Sequence, residues 1–188
     1  MEANQPHITE LLKRCQKSDR NAQMQLYKAY YKAMYNTAFR ILKDEFEAED
    51  IMQEAFLTAF TKLNSYRGEV AFGAWLKRIV INKSLTQLKK NNRYEEVKLE
   101  VVPTNETESS KLDYTKLEPQ SVMNSIQGLK DNYRMVLTLN LIEGYDYEEI
   151  AQIMNYTNEN VRTTISRAKH KLKQVLLVNN PQIRAYGR

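Results

Sequence analysis

Residues 145–176 read YDYEEIAQIMNYTNENVRTTISRAKHKLKQVL, and this stretch decides the fold. Its apolar residues recur every three or four positions, which is the spacing of one helical face. The pattern predicts a short helix over 147–154, a polar turn at 155–157 and a second helix over about 158–175. Thr157 can cap the second helix, and Glu159 lies in its first turn, where a negative charge is favourable. Two helices joined by such a turn have the layout of a helix-turn-helix.

The second helix has two unlike faces. At about 100° per residue, Val161, Ile165, Ala168 and Leu172 fall on one apolar stripe. Arginines and hydroxyl side chains, which read base edges and grip phosphates in a major groove, occupy the other side. No acid follows Glu159. We therefore expect duplex DNA binding by six residues, the alternative being an ordinary solvated basic face. The six are Arg162, Thr163, Ser166, Arg167, His170 and Lys173.

The composition is that of a helical globular protein. Hydrophobic residues are 42% and charged residues 27% of 188, so we expect one domain or two small ones. Only 5 glycines and 4 prolines occur, which favours an all-α fold. The formal net charge of +5 favours a polyanionic partner. The single cysteine, Cys15, excludes an internal disulfide framework. Without a long apolar run or a secretory signal, we expect a cytoplasmic protein with no membrane insertion of its own.

The first half of the chain predicts four helices, at 8–17, 22–43, 44–64 and 71–90. The second of them carries an aromatic stripe that includes Tyr27, Tyr30, Tyr31 and Tyr35, and we interpret the stripe as core. Trp75 in the fourth helix is also expected to be core, from the usual burial of large apolar residues.

One face of the predicted helix 44–64 is polar with a single apolar member. Asp50, Gln53, Glu54 and Leu57 share a strip at i, i+3, i+4 and i+7 spacing. A protein-binding strip with an apolar anchor explains the pattern. A solvated acidic face with one stray leucine explains it equally well, and periodicity does not separate the two.

The loop at 64–69 and the helix after it combine aromatic and basic residues. Tyr66 stands beside Arg67, and Gly68 permits a tight turn. No acid occurs between Glu69 and Glu95, whereas cations surround Asn82. An aromatic face with nearby cations is the usual equipment for binding single-stranded nucleic acid. The candidates are Tyr66, Arg67, Lys77, Arg78, Asn82 and Lys83, and the alternative is a tyrosine that only packs the loop.

Between these regions, residues 93–117 are polar, aperiodic and interrupted by Pro103. We therefore predict two small helical domains, 1–92 and 118–179, joined by a flexible linker at 93–117 and followed by a flexible tail at 180–188. In the second domain a helix over 129–142 is expected to turn Tyr133, Val136, Leu137 and Leu141 inward and to end at Gly144.

Catalytic machinery is missing from the sequence. The histidines are His7, near the start, and His170, on the expected DNA face, so nucleophile–base chemistry has no placed base. No zinc-protease, P-loop or dinucleotide motif occurs. Six carboxylates at 44–54 could hold a hard cation in a nuclease, but they belong to one helix, which makes that alternative weak. We expect no catalytic residue, no metal and no cofactor.

In order, these motifs resemble the extracytoplasmic-function (ECF) sigma factors, the two-domain branch of the sigma-70 family of bacterial transcription initiation factors. The resemblance rests on AEDIMQEAF at 48–56, YRG at 66–68, FGAWL at 72–76, Arg78-Ile79 and Asn82. It continues at Gly144, YEEIA at 147–151, Val161-Arg162 and Arg167-Ala168. It covers nearly the whole chain except the linker and both tails.

The resemblance implies a factor that directs core RNA polymerase to promoters. The first domain (region 2) would dock on the clamp helices of the polymerase through Asp50, Gln53, Glu54 and Leu57, and would open the −10 element. The loop at 64–69 and Asn82 would form a pocket for a flipped base. The second domain (region 4) would bind the −35 element and the polymerase flap. An anti-sigma protein, often membrane-bound in the family, would hold the factor inactive.

In the predicted recognition helix Thr164 stands where many relatives carry a basic residue, and Ser166 replaces a larger side chain in some, so no promoter sequence is implied. The alternative function is a helix-turn-helix repressor or activator that binds duplex DNA without polymerase docking. Such a regulator leaves the strip and the loop of the first domain unexplained. An interaction adaptor without DNA binding is a weaker choice, because the recognition face lacks acids.

Overall fold

The computed structural model of the chain describes residues 5–91 and 117–180, with side chains from His7 onward. Within these two ranges the chain forms eight α-helices and no β-strand. The chain divides into two compact units, with the boundary between Asn91 and Asn92. None of the helices in the described ranges is both long enough and apolar enough to span a bilayer. Almost all of the predicted linker and tail lies outside the described residues.

Four helices build the first unit. They are α1 (Gln5–Gln16), α2 (Arg20–Leu42), α3 (Glu45–Thr61) and α4 (Phe72–Lys90), with a 3-10 turn at Leu63–Ser65. The helices α2, α3 and α4 pack against one another, and α1 packs against α2. Their shared core is apolar and includes Leu26, Ile41, Phe56, Leu76 and Ile81. Burial raises the pKa of the Cys15 thiol to about 11, so this cysteine is a protonated core residue.

The starts of α2 and α3 are set by aspartate caps. Asp19 accepts hydrogen bonds from the backbone N–H groups of Asn21 and Ala22 and forms a 2.8 Å ion pair with Arg14. Asp44 accepts from the backbone N–H of Glu47 at 2.9 Å. Lys43, between the two helices, takes the left-handed conformation with φ 60°. The α2–α3 corner is therefore specified by local sequence.

The aromatic stripe of α2 is not the core that its spacing predicts. Tyr31 is 44% exposed, and Tyr27, Tyr30 and Tyr35 are half-buried. The buried face of the helix consists instead of smaller side chains: Ala22, Leu26, Met34, Thr37, Ala38, Ile41 and Leu42. A tyrosine hydroxyl needs water or a hydrogen-bond partner, so the rings lie at the edge of the core.

The second unit is built from α5 (Pro119–Gln127), α6 (Asp131–Leu137), α7 (Tyr147–Met154) and α8 (Asn158–Asn179). The helix α8 packs against α5, α6 and α7. Asn180, expected in the tail, is buried at the end of α8, and its side chain bonds to Ser121 at 3.0 Å and to the carbonyl of Leu176 at 3.1 Å. The folded part of this unit therefore reaches at least residue 180.

The predicted helix over 129–142 is interrupted. The helix α6 ends at Leu137, and a π-helical turn follows over Thr138–Ile142. A π turn inserts an extra residue and shifts the helical phase. As a result Leu141, predicted to be inward, is 50% exposed. Gly144, with φ 80°, then reverses the chain in a conformation that favours glycine.

Inside α6 a charged residue is buried, which the apolar periodicity of the sequence does not predict. Arg134 is 2% exposed, and its Nη1 lies 2.8 Å from the carboxylate of Asp131, one turn earlier. A buried guanidinium is tolerated because it is paired, and removal of the partner would leave a costly uncompensated charge.

A capping box fixes the start of α7. The Asp146 carboxylate accepts from the backbone N–H of Glu149 at 2.8 Å, and the Glu149 carboxylate accepts from the backbone N–H of Asp146 at 2.9 Å. These two bonds satisfy backbone donors that the helix itself leaves unpaired.

Replacement of Asp146 by alanine should destabilise the second unit by about 0.5–2 kcal/mol, because the cap is lost. Asp146→Asn should retain most of the stability, since asparagine caps equally well. Native-state hydrogen exchange of α7 and α8 amides measures the difference. Equal protection in the alanine variant and the parent would contradict the role of the cap.

Candidate nucleic-acid and protein interfaces

The second unit contains a complete helix-turn-helix. The helix α7 ends at Met154 and is followed by Asn155, whose φ of 57° is left-handed, and the Tyr156 N–H donates to the carbonyl of Ala151 at 2.9 Å. Thr157 then caps α8, its hydroxyl accepting from the N–H of Asn160 at 3.2 Å. The predicted turn and cap are confirmed. Local bonds thus fix the angle at which α8 leaves α7.

All six residues predicted on the recognition face lie on the solvent side of α8. Arg162, Ser166 and His170 are exposed, whereas Thr163, Arg167 and Lys173 are half-buried. The five-residue separation of the two arginines places them about 140° apart around the helix. They therefore flank a central strip that contains the hydroxyls. Thr164 is buried and faces the core, so its difference from relatives does not alter the exposed face.

The polar strip of α3 forms an exposed ridge. Asp50, Gln53 and Leu57 are exposed, Leu57 to 68%. On one flank of the ridge, Phe56 packs against Tyr27 of α2 with ring centroids 4.8 Å apart. On the other flank, Glu47 accepts a 2.5 Å hydrogen bond from the Asn91 side chain just after α4. Because α2 and α4 hold the two flanks, the ridge between them is left available to a partner.

Glu54, the fourth member of the predicted strip, belongs to the α4 flank. Its carboxylate lies 2.9 Å from the ammonium of Lys83. The pair joins a residue expected to bind protein to one expected to bind DNA. The sequence did not indicate this contact, because the two residues are 29 positions apart.

The loop that follows α3 is closed by Tyr66. Its hydroxyl donates to the carbonyl of Val70 at 2.6 Å, and its ring lies 5.8 Å from that of Phe72 and 5.3 Å from that of Trp75. Burial raises the pKa of this hydroxyl above its ordinary value. Gly68, at φ 75°, provides the turn inside the loop. The ring is therefore held against α4.

The basic residues of α4 do not form one patch. Arg78 and Asn82 are exposed on one face, at i, i+4 spacing. Lys77 is half-buried and, at about 100° per residue, points to a different side. Lys83 turns toward Glu54, and Arg67 stands in the loop, 3.9 Å from Glu69. Of the six single-strand candidates, Tyr66, Arg78 and Asn82 thus lie on the same side of the unit.

Trp75 is a contact of the candidate loop that the sequence reasoning missed. It was expected in the core but is half-buried, and its ring packs against Tyr66. The i, i+3, i+7 spacing of Trp75, Arg78 and Asn82 places the three on one helical face. That spacing is visible in the sequence and was the available signal.

In the ranges 5–91 and 117–180, no three His, Cys, Asp or Glu side chains are grouped so that they could hold a metal ion. Three of the carboxylates at 44–54 instead bond to separate groups within the first unit. Asp44 caps α3, Glu47 bonds to Asn91 and Glu54 pairs with Lys83.

Comparison with protein-family models finds two matches in chain order. Residues 26–94 match sigma-70 region 2, and residues 120–172 match sigma-70 region 4. The first match contains α3, the Tyr66 loop and α4, and the second contains the helix-turn-helix.

Three curated proteins are similar over most of their length. RNA polymerase sigma-H factor of Pseudomonas aeruginosa is 32% identical over 89% of this chain and 92% of its own. ECF RNA polymerase sigma factor SigW of Bacillus subtilis is 29% identical over 90% and 96%. ECF RNA polymerase sigma-E factor of Escherichia coli is 30% identical over 86% and 90%.

Two solved structures share the fold. The sigma factor RpoE of Bartonella quintana, in complex with the anti-sigma factor NepR, has a TM-score of 0.56 at 21% identity, over 84% of this chain and 98% of that one. CnrH, in complex with the cytosolic domain of CnrY, has a TM-score of 0.55 at 23% identity, over 90% and 97%.

Proposed function

This chain belongs to the ECF branch of the sigma-70 family of transcription initiation factors, and we propose that its two helical units divide promoter recognition between them. It is a transcription initiation factor that directs RNA polymerase, and its relatives are named RNA polymerase sigma factors. This division of promoter recognition rests on one observation. The second unit contains a complete helix-turn-helix, and the separate first unit bears an exposed ridge and an aromatic loop. A repressor that only binds duplex DNA through the second unit has no use for the ridge and the aromatic loop of the first unit.

The division follows the boundaries expected from sequence. Residues 1–92 form the region 2 domain, which binds core polymerase and the −10 element. The region 4 domain, expected over 118–179 and extended to residue 180 by the buried Asn180, binds the −35 element and the polymerase flap, and 93–117 link the two domains. The protein acts by binding and not by catalysis, in the cytoplasm. Run-off transcription with core RNA polymerase and selected promoters tests this function.

An anti-sigma protein is the proposed inhibitor. The Bartonella quintana sigma factor RpoE, which shares the fold, is in complex with the anti-sigma factor NepR, and CnrH is in complex with the cytosolic domain of CnrY. An inhibitor that covers the α3 ridge or the α8 face would block polymerase or promoter access directly.

The α8 arginines are proposed to read the upstream element from either side of the hydroxyl strip. If the arginine contacts a base, replacement of Arg162 or Arg167 by alanine should reduce the free energy of promoter binding by about 1–3 kcal/mol and relax specificity. If it contacts a phosphate, the replacement should weaken binding to all sequences evenly. Holoenzyme binding to promoters with single-base changes, at fixed salt, separates the outcomes. Lys130→Ala, which removes an exposed charge outside α8, is the control. Unchanged affinity in both arginine variants would refute the assignment.

Strand opening is proposed to depend on Tyr66 and Asn82. Removal of a base from the stack costs a few kcal/mol of free energy, which binding of that base in a pocket must offset. Tyr66→Ala and Asn82→Ala should therefore retain polymerase binding yet lose most permanganate reactivity of thymines near the start site. Tyr66→Phe removes only the bond to Val70 and keeps the ring, so it should open promoters well. Wild-type reactivity in Tyr66→Ala and Asn82→Ala would remove this site.

Polymerase docking is proposed to use the exposed ridge of α3. The double variant Asp50→Ala, Gln53→Ala should remain folded, because both side chains are exposed, and should bind core polymerase at least about tenfold more weakly. Equilibrium titration of core enzyme with labelled protein gives the affinity. Glu10→Gln, which neutralises an exposed carboxylate of α1, is the matched control. If the double variant and the control bind equally well, the ridge is not the docking site.

A further inference from the structure

The most exposed large apolar side chain in the described part of the chain is Phe46, in the first turn of α3, at 83% exposure. The helix does not need this side chain to begin. The cap is the Asp44 carboxylate, and Glu45 and Glu47 supply the negative charges that suit the helix start. A phenylalanine left in water therefore has no structural role in the unit itself.

Phe46 lies on the same ridge as the proposed docking residues. The positions 46, 50, 53 and 57 are separated by four, three and four residues, so at about 100° per residue they fall within about 60° of one another. At about 1.5 Å per residue the ridge is about 16 Å long. Phe46 stands at one end and Leu57 at the other, with Asp50 and Gln53 between them. Isolated exposed apolar residues are common, but two at the ends of one helical stripe form a pattern suited to packing on a partner helix.

The charges around the ridge indicate what covers it. Glu45, Glu49 and Asp50 are exposed on the same helix, so an occupant that fits offers apolar side chains flanked by cations. A second copy of this chain fits poorly, because a two-fold contact would set one acidic ridge against the other. The ridge is also continuous with the proposed polymerase-docking residues.

We propose that Phe46 is a second apolar anchor for core RNA polymerase, so that the docking surface runs along α3 from its first turn to Leu57. The inference rests on the proposed docking role of Asp50 and Gln53 and extends it by one turn of helix. Buried at the interface, the phenylalanine and Leu57 exclude water from the polar contacts between them.

The test is the affinity of the full-length protein for core RNA polymerase. Phe46→Ala should weaken polymerase binding about tenfold or more. Phe46→Leu should retain most of the affinity, because leucine also buries an apolar side chain at the interface. The matched control is Met24→Ala, which truncates an apolar side chain of α2 that is 53% exposed and off the ridge. Thermal unfolding of each variant checks that the fold is intact.

Three results would overturn the proposal. Unchanged polymerase affinity in Phe46→Ala, while Asp50→Ala with Gln53→Ala loses binding, would show that the ridge docks without Phe46. A loss of self-association in Phe46→Ala, with polymerase affinity unchanged, would assign the side chain to contact between copies. An equal loss in Met24→Ala would show that apolar truncation has no positional specificity. Normal binding by every ridge variant would instead refute the docking site itself.

Discussion

The packing of α3 between α2 and α4 determines which surfaces of the first unit can meet a partner. A helix that packs against neighbours on two sides exposes its remaining side to solvent, and the residues of that side can contact a partner. A shared apolar core joins α3 to both neighbours, with aromatic packing added on the α2 side and side-chain hydrogen bonds and an ion pair added on the α4 side. Because α4 is fixed in this way, so is the direction of Arg78 and Asn82. The two proposed interfaces of the unit are consequences of one three-helix arrangement.

The second unit depends more on local bonds. A capping box, a left-handed asparagine and a threonine cap follow one another within twelve residues, from Asp146 to Thr157. Each bond involves residues no more than five apart, so the turn is specified by local sequence. The apolar stripe of α8 then packs on α5, α6 and α7. The exposed side of α8 is consequently free to carry basic and hydroxyl residues without cost to the core.

Features set by short-range periodicity and capping were predictable from the sequence. The α8 stripe, the Thr157 cap and the exposure of Asp50 and Gln53 follow from spacing and end chemistry alone. Features set by distant contacts or by a change of helical phase were not. Periodicity places Glu54 on a face but does not name Lys83 as its neighbour. It assigns Leu141 inward because it assumes a continuous α-helix, which the π turn breaks. Trp75 and the tyrosines of α2 are large enough to be partly buried and partly exposed, which a two-valued pattern of apolar and polar residues does not represent.

The ion pair between Glu54 and Lys83 has a consequence for how sequence can vary in this protein. Two residues in direct contact do not contribute independently, so the free-energy changes caused by their substitutions are not additive when both change. A neutral residue at 54 releases a cation beside Asn82, and a neutral residue at 83 releases a carboxylate beside the ridge. A substitution at 54 therefore alters the electrostatic field at the Asn82 face of α4, and a substitution at 83 alters the field at the α3 ridge. The two positions are expected to covary, and a change in one specificity of the protein can arise from a substitution in the surface that serves the other.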